Sequence, residues 1–291
     1  SSPRRPGACA PARTAEAMFG SVRNLWQRGL RRARLDADAA WMRRVRGVIH
    51  VGANTGQERA HYHQYRLPVV WIEPIPEVFA QLQANIAGLP GQRALQALVA
   101  DAEGRSVEFH VASNDGLSSS MLELAGHREL WPGVDFRRTL ALRTTTLDAL
   151  VRDGAIAPAD GFNALVMDTQ GSELQVLRGA AALLPRIDVV KTEAADFEAY
   201  AGGCRLADLD AFLRAQGFEE LRRHRFAGRD GLGAYYGVVG GRRGSVPTVG
   251  GPPRCRWRCS GAGRRARPRR PAGRASGPSS APPGSRAPRA G

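Results

Sequence analysis

Val48-Ile49-His50-Val51-Gly52-Ala53-Asn54-Thr55-Gly56-Gln57-Glu58 is the stretch that decides how the chain is read. A short apolar run leads into two glycines and then into a polar, helix-like start, which is the pattern of a strand, a tight turn and a helix. The next apolar run, Val69 to Ile72, ends on Glu73, twenty-one residues past Gly52. A carboxylate at the tip of a neighbouring strand can accept hydrogen bonds from a ribose diol, so the two segments together describe a nucleoside pocket.

The glycine spacing narrows the nucleoside. A dinucleotide site needs a glycine in the middle of the turn, so that backbone can approach a pyrophosphate at a helix N-terminus. Asn54 occupies that position here. A side chain there crowds a diphosphate but tolerates S-adenosylmethionine, whose amino-acid end carries no phosphate. Gly52, Asn54, Gly56 and Glu73 are therefore the expected cofactor residues, and an NAD-dependent oxidoreductase is disfavoured.

Outward from this stretch, three strand–helix repeats are expected. Gln57 to Tyr65 reads as a helix stopped by Leu67-Pro68. Val69 to Glu73 is the second strand, and Pro76 suits the first turn of a helix that runs to Gly88. Ala94 to Val99 reads as a third strand ending at Ala100-Asp101, which adds Asp101 to the cofactor residues. Such repeats predict a parallel sheet covered on both faces. Ser106 to Ala112 and Thr139 to Thr146 then read as strands around a polar loop, Ser113 to Ser120, a natural place for substrate contacts. The repeats resume with an apolar strand, Phe162 to Met167, that ends on Asp168. A helix from Ser172 to Leu184 follows, then a strand, Ile187 to Val190, ending near Glu193. The amphipathic helix Leu206 to Gln216 is closed by Gly217, and Phe218 to Phe226 with Ala234 to Val239 form a terminal hairpin.

The flanks differ in composition. Residues 45–240 carry 19 Lys and Arg against 24 Asp and Glu, whereas the net charge of all 291 residues is +15. The basic excess therefore belongs to the ends and says little about the pocket's ligand. Residues 1–17 read as a disordered extension, 18–44 as a basic amphipathic helical segment, 45–240 as the folded domain, and 241–291 as a disordered tail rich in Arg, Pro and Gly. The apolar face of Phe19, Val22, Trp26, Leu30 and Ala33 suits packing on the domain, or docking on a membrane surface or partner. The arginine-rich flanks also admit nucleic-acid binding, although with one tail aromatic, Trp257, no specific nucleic acid is expected. Four cysteines, Cys9, Cys204, Cys255 and Cys259, are too scattered for a disulfide framework or zinc spacing, and no run of ~18 apolar residues occurs. A cytoplasmic protein is the expectation.

These motifs resemble the FkbM-family methyltransferases. The resemblance rests on Val-Gly-Ala-Asn-Thr-Gly at 51–56, Ile-Glu-Pro-Ile-Pro-Glu-Val-Phe at 72–79, Met-Asp-Thr-Gln-Gly-Ser-Glu-Leu-Gln-Val-Leu-Arg-Gly-Ala at 167–180 and Leu-Arg-Ala-Gln-Gly-Phe at 213–218. It implies an α/β, Rossmann-like class I methyltransferase fold, with a mostly parallel seven-stranded sheet and a C-terminal antiparallel hairpin. It also implies S-adenosyl-L-methionine as cofactor, and O-methylation of a sugar, glycoconjugate or secondary metabolite. One departure stands out: the family carries an acid two positions before the first glycine, near the methionine amino group, where this chain has His50. Glu58 is the acid available to compensate. A fold of this kind that has lost catalysis and serves as a binding module is the alternative.

Methyl transfer to a hydroxyl needs alignment, a dry site and a base for the departing proton. Asp168 is the first choice of base, because strand ends at the carboxyl edge of such a sheet line the pocket. Its alternative role is to hold the cofactor or the Thr169 to Gly171 turn. Glu193, at the next strand's end, carries the same ambiguity. His127 offers an imidazole that suits proton transfer near neutrality, or is a solvent-exposed loop residue. His61 and His63 lie two apart and cannot share a helix face. No histidine pair with a carboxylate has metal-ligand spacing, so no metal is expected, although Asp168 and Glu193 can meet around Mg²⁺. The acceptor surface is expected on residues 113–134 and in the region after Glu193, including Tyr200.

Overall fold

The computed structural model of the chain describes residues 40–157 and 161–244. The basic helical segment and the arginine-rich tail lie outside the described residues, except for residues 40–44 and 241–244. A short 3₁₀ turn, Ala40–Arg44, buries Trp41 and Met42 against the domain.

Among the described residues, ten strands form two sheets. The first holds β1 (Val48–Val51), β2 (Val69–Ile72), β3 (Gln92–Leu95), β7 (Ala164–Met167), β8 (Val189–Ala195), β9 (Phe218–Arg229) and β10 (Gly233–Arg242), in the order β3-β2-β1-β7-β8-β10-β9. All neighbours are parallel except at β10, which runs antiparallel to β8 and β9. This is the seven-stranded class I methyltransferase arrangement, reversed hairpin included. The second sheet, β4 (Leu98–Val99), β6 (Phe136–Thr145) and β5 (Ser106–Ala112), is made largely by the inserted segment.

The central strands are apolar on both sides because both sides are covered. Ile49, Val51, Val70 and Ile72 join a core with Leu147 of α4 (Leu147–Arg152), Val176 and Leu177 of α5 (Glu173–Arg178), and Leu209 and Leu213 of α6 (Leu206–Ala215). On the other face Val48, Val69 and Trp71 pack with Trp41, with Tyr62 of α1 (Arg59–Gln64), and with Leu82 and Ile86 of α2 (Pro76–Ile86). The short α3 (His127–Leu130) lies in the insertion.

Three expected elements are revised. The strand Ala94 to Val99 is two strands: β3 pairs with β2, whereas β4 pairs with β6 in the second sheet. The helix Ser172 to Leu184 is shorter, since α5 stops at Arg178. The next residue, Gly179, packs so closely on the neighbouring chain that a Cβ there would stand 2.0 Å from the Ala100 carbonyl oxygen. The strand Ile187 to Val190 instead begins at Val189 and extends to Ala195, so Glu193 is a strand residue.

Candidate active site

Sheet register brings the site together. Val51 is level with both Ile72 and Met167, and Met167 is level with Thr192. Gly52, Glu73, Asp168 and Glu193 each follow one of these residues, so all four lie at one height on the carboxyl edge of the sheet. That edge is where ligands bind in folds of this class.

Gly52 is required by close approach. It has φ +76°, and a Cβ there would fall 2.0 Å from the backbone oxygen of Asp168. Asn54 also adopts a left-handed conformation, at φ +43°, which asparagine tolerates better than most residues. Its side-chain oxygen accepts the Thr55 N–H at 2.7 Å, and its amide donates to the Asp115 carbonyl at 3.1 Å, tying the glycine turn to the inserted loop. Glu73 is 4% exposed. Each of its oxygens accepts one backbone N–H, from Asn54 and from Ile75, both at 2.9 Å. Burial pushes its pKa up to about 7 against the pull of those two amides.

These residues line a cavity of about 240 Å³. Its walls include Ile72, Ile75, Leu98, Val99 and Phe109, with Glu58, Glu73 and Asp168 as its carboxylates; neither Lys nor Arg is among the described lining residues. Thr169 also lines it, and its buried hydroxyl finds no hydrogen-bond partner among the described residues. Apolar walls for a base, an acceptor for a diol and an orphan hydroxyl fit a nucleoside.

A second cleft, of about 230 Å³, adjoins the first. Trp131, Phe226 and Tyr235 give it an aromatic wall, and Asn114, Ser118, His127 and Glu193 give it polar groups. Leu117, Asp168 and Gln170 line both spaces. Asp168 therefore stands at the junction. Burial raises its pKa well above the ordinary carboxylate range, and the charges of Glu193 and Glu173 add to this. The Glu193 carboxyl is raised as well, chiefly by burial.

Several predicted residues stand elsewhere, or differently from expectation. Asp101 does not line the nucleoside cavity; its carboxylate pairs with Arg105, because the chain turns outward after β4. His127 is not a solvent-exposed loop residue. It is 4% exposed, with Nδ1 2.7 Å from the Tyr235 hydroxyl and Nε2 3.1 Å from the Ser118 hydroxyl. Burial lowers its pKa to about 4, so it is neutral and occupied on both nitrogens. His50 is buried, stacked on Trp71 at 4.8 Å and hydrogen-bonded to Tyr62 at 3.2 Å, with its pKa also lowered to about 4 by burial. His61 and His63 are exposed on α1. Tyr200 is buried and does not line the second cleft. No group of three His, Cys, Asp or Glu residues is placed to hold a metal ion among the described residues.

Two residues escaped the sequence reading. Glu173, 2% exposed, accepts the N–H groups of Thr169 and Gly171 and so holds the turn after Asp168. Gln170 donates to Asp168 and accepts from the Tyr200 hydroxyl. Both lie inside the Met-Asp-Thr-Gln-Gly-Ser-Glu motif, which was the only available signal.

A family model described as the methyltransferase FkbM domain matches residues 50–220. The chain is 26% identical over 163 residues to a 2-O-methyltransferase, NoeI, of Sinorhizobium fredii; the match covers 53% of this chain and 65% of that relative. Among solved structures, a magnesium protoporphyrin IX methyltransferase from Synechocystis with bound S-adenosylmethionine is similar at 11% identity and TM-score 0.40, over 72% of this chain and 78% of that one. A precorrin-6y C5,15-methyltransferase from Geobacter metallireducens is similar at 12% identity and TM-score 0.38, over 72% and 88%. No described helix is long and apolar enough to cross a membrane.

Proposed function

Since the chain belongs to the methyltransferase FkbM domain family, we propose that it transfers a methyl group from S-adenosylmethionine to a hydroxyl of a sugar, glycoconjugate or secondary metabolite. The observation that carries this reading is the charge of the nucleoside cavity: three carboxylates and no lining Lys or Arg. A pyrophosphate would find no Lys or Arg to pair with among the described lining residues, whereas a nucleoside bearing a sulfonium and an ammonium group meets carboxylates whose ionised form its charge favours.

Bound in that cavity, S-adenosylmethionine supplies an electrophilic methyl group. Glu73 keeps a free lone pair on each oxygen for the ribose hydroxyls, Thr169 offers its orphan hydroxyl, and the apolar walls exclude water. The acceptor lies in the adjoining cleft along the aromatic wall, and His127 acts by holding Tyr235 and Ser118. Asp168, at the junction, takes the proton from the acceptor hydroxyl as the oxygen attacks; Glu193 is the second carboxylate within the cleft. Transfer to oxygen, rather than to nitrogen or carbon, is supported by the 2-O-methyltransferase relative.

Calorimetric titration with S-adenosylmethionine, S-adenosylhomocysteine and NADH tests the cofactor. A panel of free and glycosidic sugars with radiolabelled methyl donor tests the acceptor. Failure to bind either sulfur nucleoside sinks the enzyme reading, and binding without transfer to any acceptor favours a binding module.

A further inference from the structure

We propose that Tyr200 is a positioning residue that acts through Gln170 to keep the Asp168 carboxylate in the ionised, proton-accepting form. The inference rests on the reading of Asp168 as the base. It comes from the direction in which one amide is held.

The Tyr200 hydroxyl has two close neighbours, the Gln170 side-chain oxygen at 2.6 Å and the Ser118 backbone carbonyl at 3.3 Å. Both are acceptors, so the hydroxyl donates, and the shorter contact takes the proton. With its oxygen committed to Tyr200, the Gln170 amide turns its NH₂ group toward Asp168 Oδ1. The backbone of Gln170 is fixed too. It sits at φ +54°, unusual for a residue with a side chain, and its carbonyl accepts the Ser120 hydroxyl at 2.8 Å.

An NH₂ donor favours carboxylate over carboxylic acid. The reversed amide would present an oxygen to Asp168, which suits only the protonated acid. The tyrosine therefore selects the amide orientation that a base needs. The need is real because the other charges facing Asp168 oppose its ionisation: Glu193 on β8, Glu173 on α5 and Glu58 at the head of α1. Tyr235 and His127 across the cleft are uncharged at neutral pH, and among the described residues the Gln170 amide is the group whose influence on Asp168 runs the other way.

The test is the pH dependence of methyl transfer. In Tyr200→Phe the acid limb of kcat/KM should move to higher pH by about half a unit to one unit, while affinity for S-adenosylhomocysteine stays within about twofold. Gln170→Leu removes the donor without touching Tyr200; it should shift the limb the same way, and it keeps the test open if Tyr200→Phe unfolds. The double variant should behave as Gln170→Leu alone, because the tyrosine acts only through the amide. An unmoved limb in both single variants, or a full Tyr200→Phe effect persisting in the Gln170→Leu background, overturns the proposal. Wild-type turnover in Asp168→Asn would remove the base assignment itself, and the relay with it.

Discussion

Glu173 accepts the Gly171 N–H with both carboxylate oxygens, at 3.2 and 3.0 Å, and the Thr169 N–H at 3.0 Å. The turn after Asp168 is therefore held by a carboxylate five residues further on. The Asp168 carboxylate accepts from the Gln170 side chain and faces the junction of the two cavities.

Two isosteric substitutions should consequently have opposite signatures. Asp168→Asn should lower turnover by ~10² to 10⁴ while leaving thermal stability and affinity for S-adenosylhomocysteine, which carries no sulfonium charge, nearly intact. Glu173→Gln removes a buried charged acceptor and should cost about 1 to 3 kcal/mol of stability. Single-turnover methyl transfer at saturating cofactor, beside denaturant unfolding, separates them. Normal turnover in Asp168→Asn would move the base role to Glu193.

Sequence made half of this site legible. The runs ending in Gly52, Glu73 and Asp168 are apolar apart from His50 and Asn163, because parallel strands covered on both faces need no polar side, so their ends pointed to the carboxyl edge of the sheet. The break between β3 and β4 was hidden, since Gln96-Ala97 carries no turn signal and only pairing to different sheets separates the strands. His127 sits in a polar stretch, and its burial comes from Trp131, Tyr200 and Tyr235, the last of them 108 residues away. Gln170 depends likewise on Tyr200, a contact no local pattern announces.

With Glu73 as the proposed ribose acceptor, nucleoside binding should depend on pH. A ribose diol donates to the ionised carboxylate, and the group titrates at about 7. Affinity for S-adenosylhomocysteine should thus be full above pH 7 and weaken as pH falls through that value, by at most about tenfold per unit. In Glu73→Gln the profile should be flat over the same range. Calorimetry from pH 5.5 to 8.5 reads both, and equal slopes in the two proteins would show that Glu73 does not hold the ribose.

His127 should be visible in stability rather than as a base. Its folded pKa of about 4 lies below the unfolded value of 6.5, so its contribution to stability is complete above 6.5 and is lost as pH falls toward 4. The advantage of wild type over His127→Phe in chemical unfolding should shrink between pH 7.5 and pH 5 by about 1 to 2 kcal/mol. A gap that stays constant would mean that the imidazole titrates alike in the folded and unfolded protein, and that burial does not hold it neutral.

The last prediction concerns the two carboxylates that share the second cleft. Asp168 and Glu193 both line it, and burial raises the pKa of each; for Asp168 the charge of Glu193 adds a further rise. Two like charges confined in one cleft resist simultaneous ionisation, so protons leave the pair in two steps. The working form of a base is the ionised one. Activity should therefore rise with pH along an acid limb set above the ordinary carboxylate range. Glu193→Gln removes the like charge and leaves the shape, so Asp168 should ionise more readily and the limb should move to lower pH, by about one unit, or 1.4 kcal/mol. The check is kcat/KM for wild type and Glu193→Gln across pH 4.5 to 8.5. A limb that stays in place belongs to some other group, and loss of turnover at every pH makes Glu193 the base, with Asp168 the neighbour that raises its pKa.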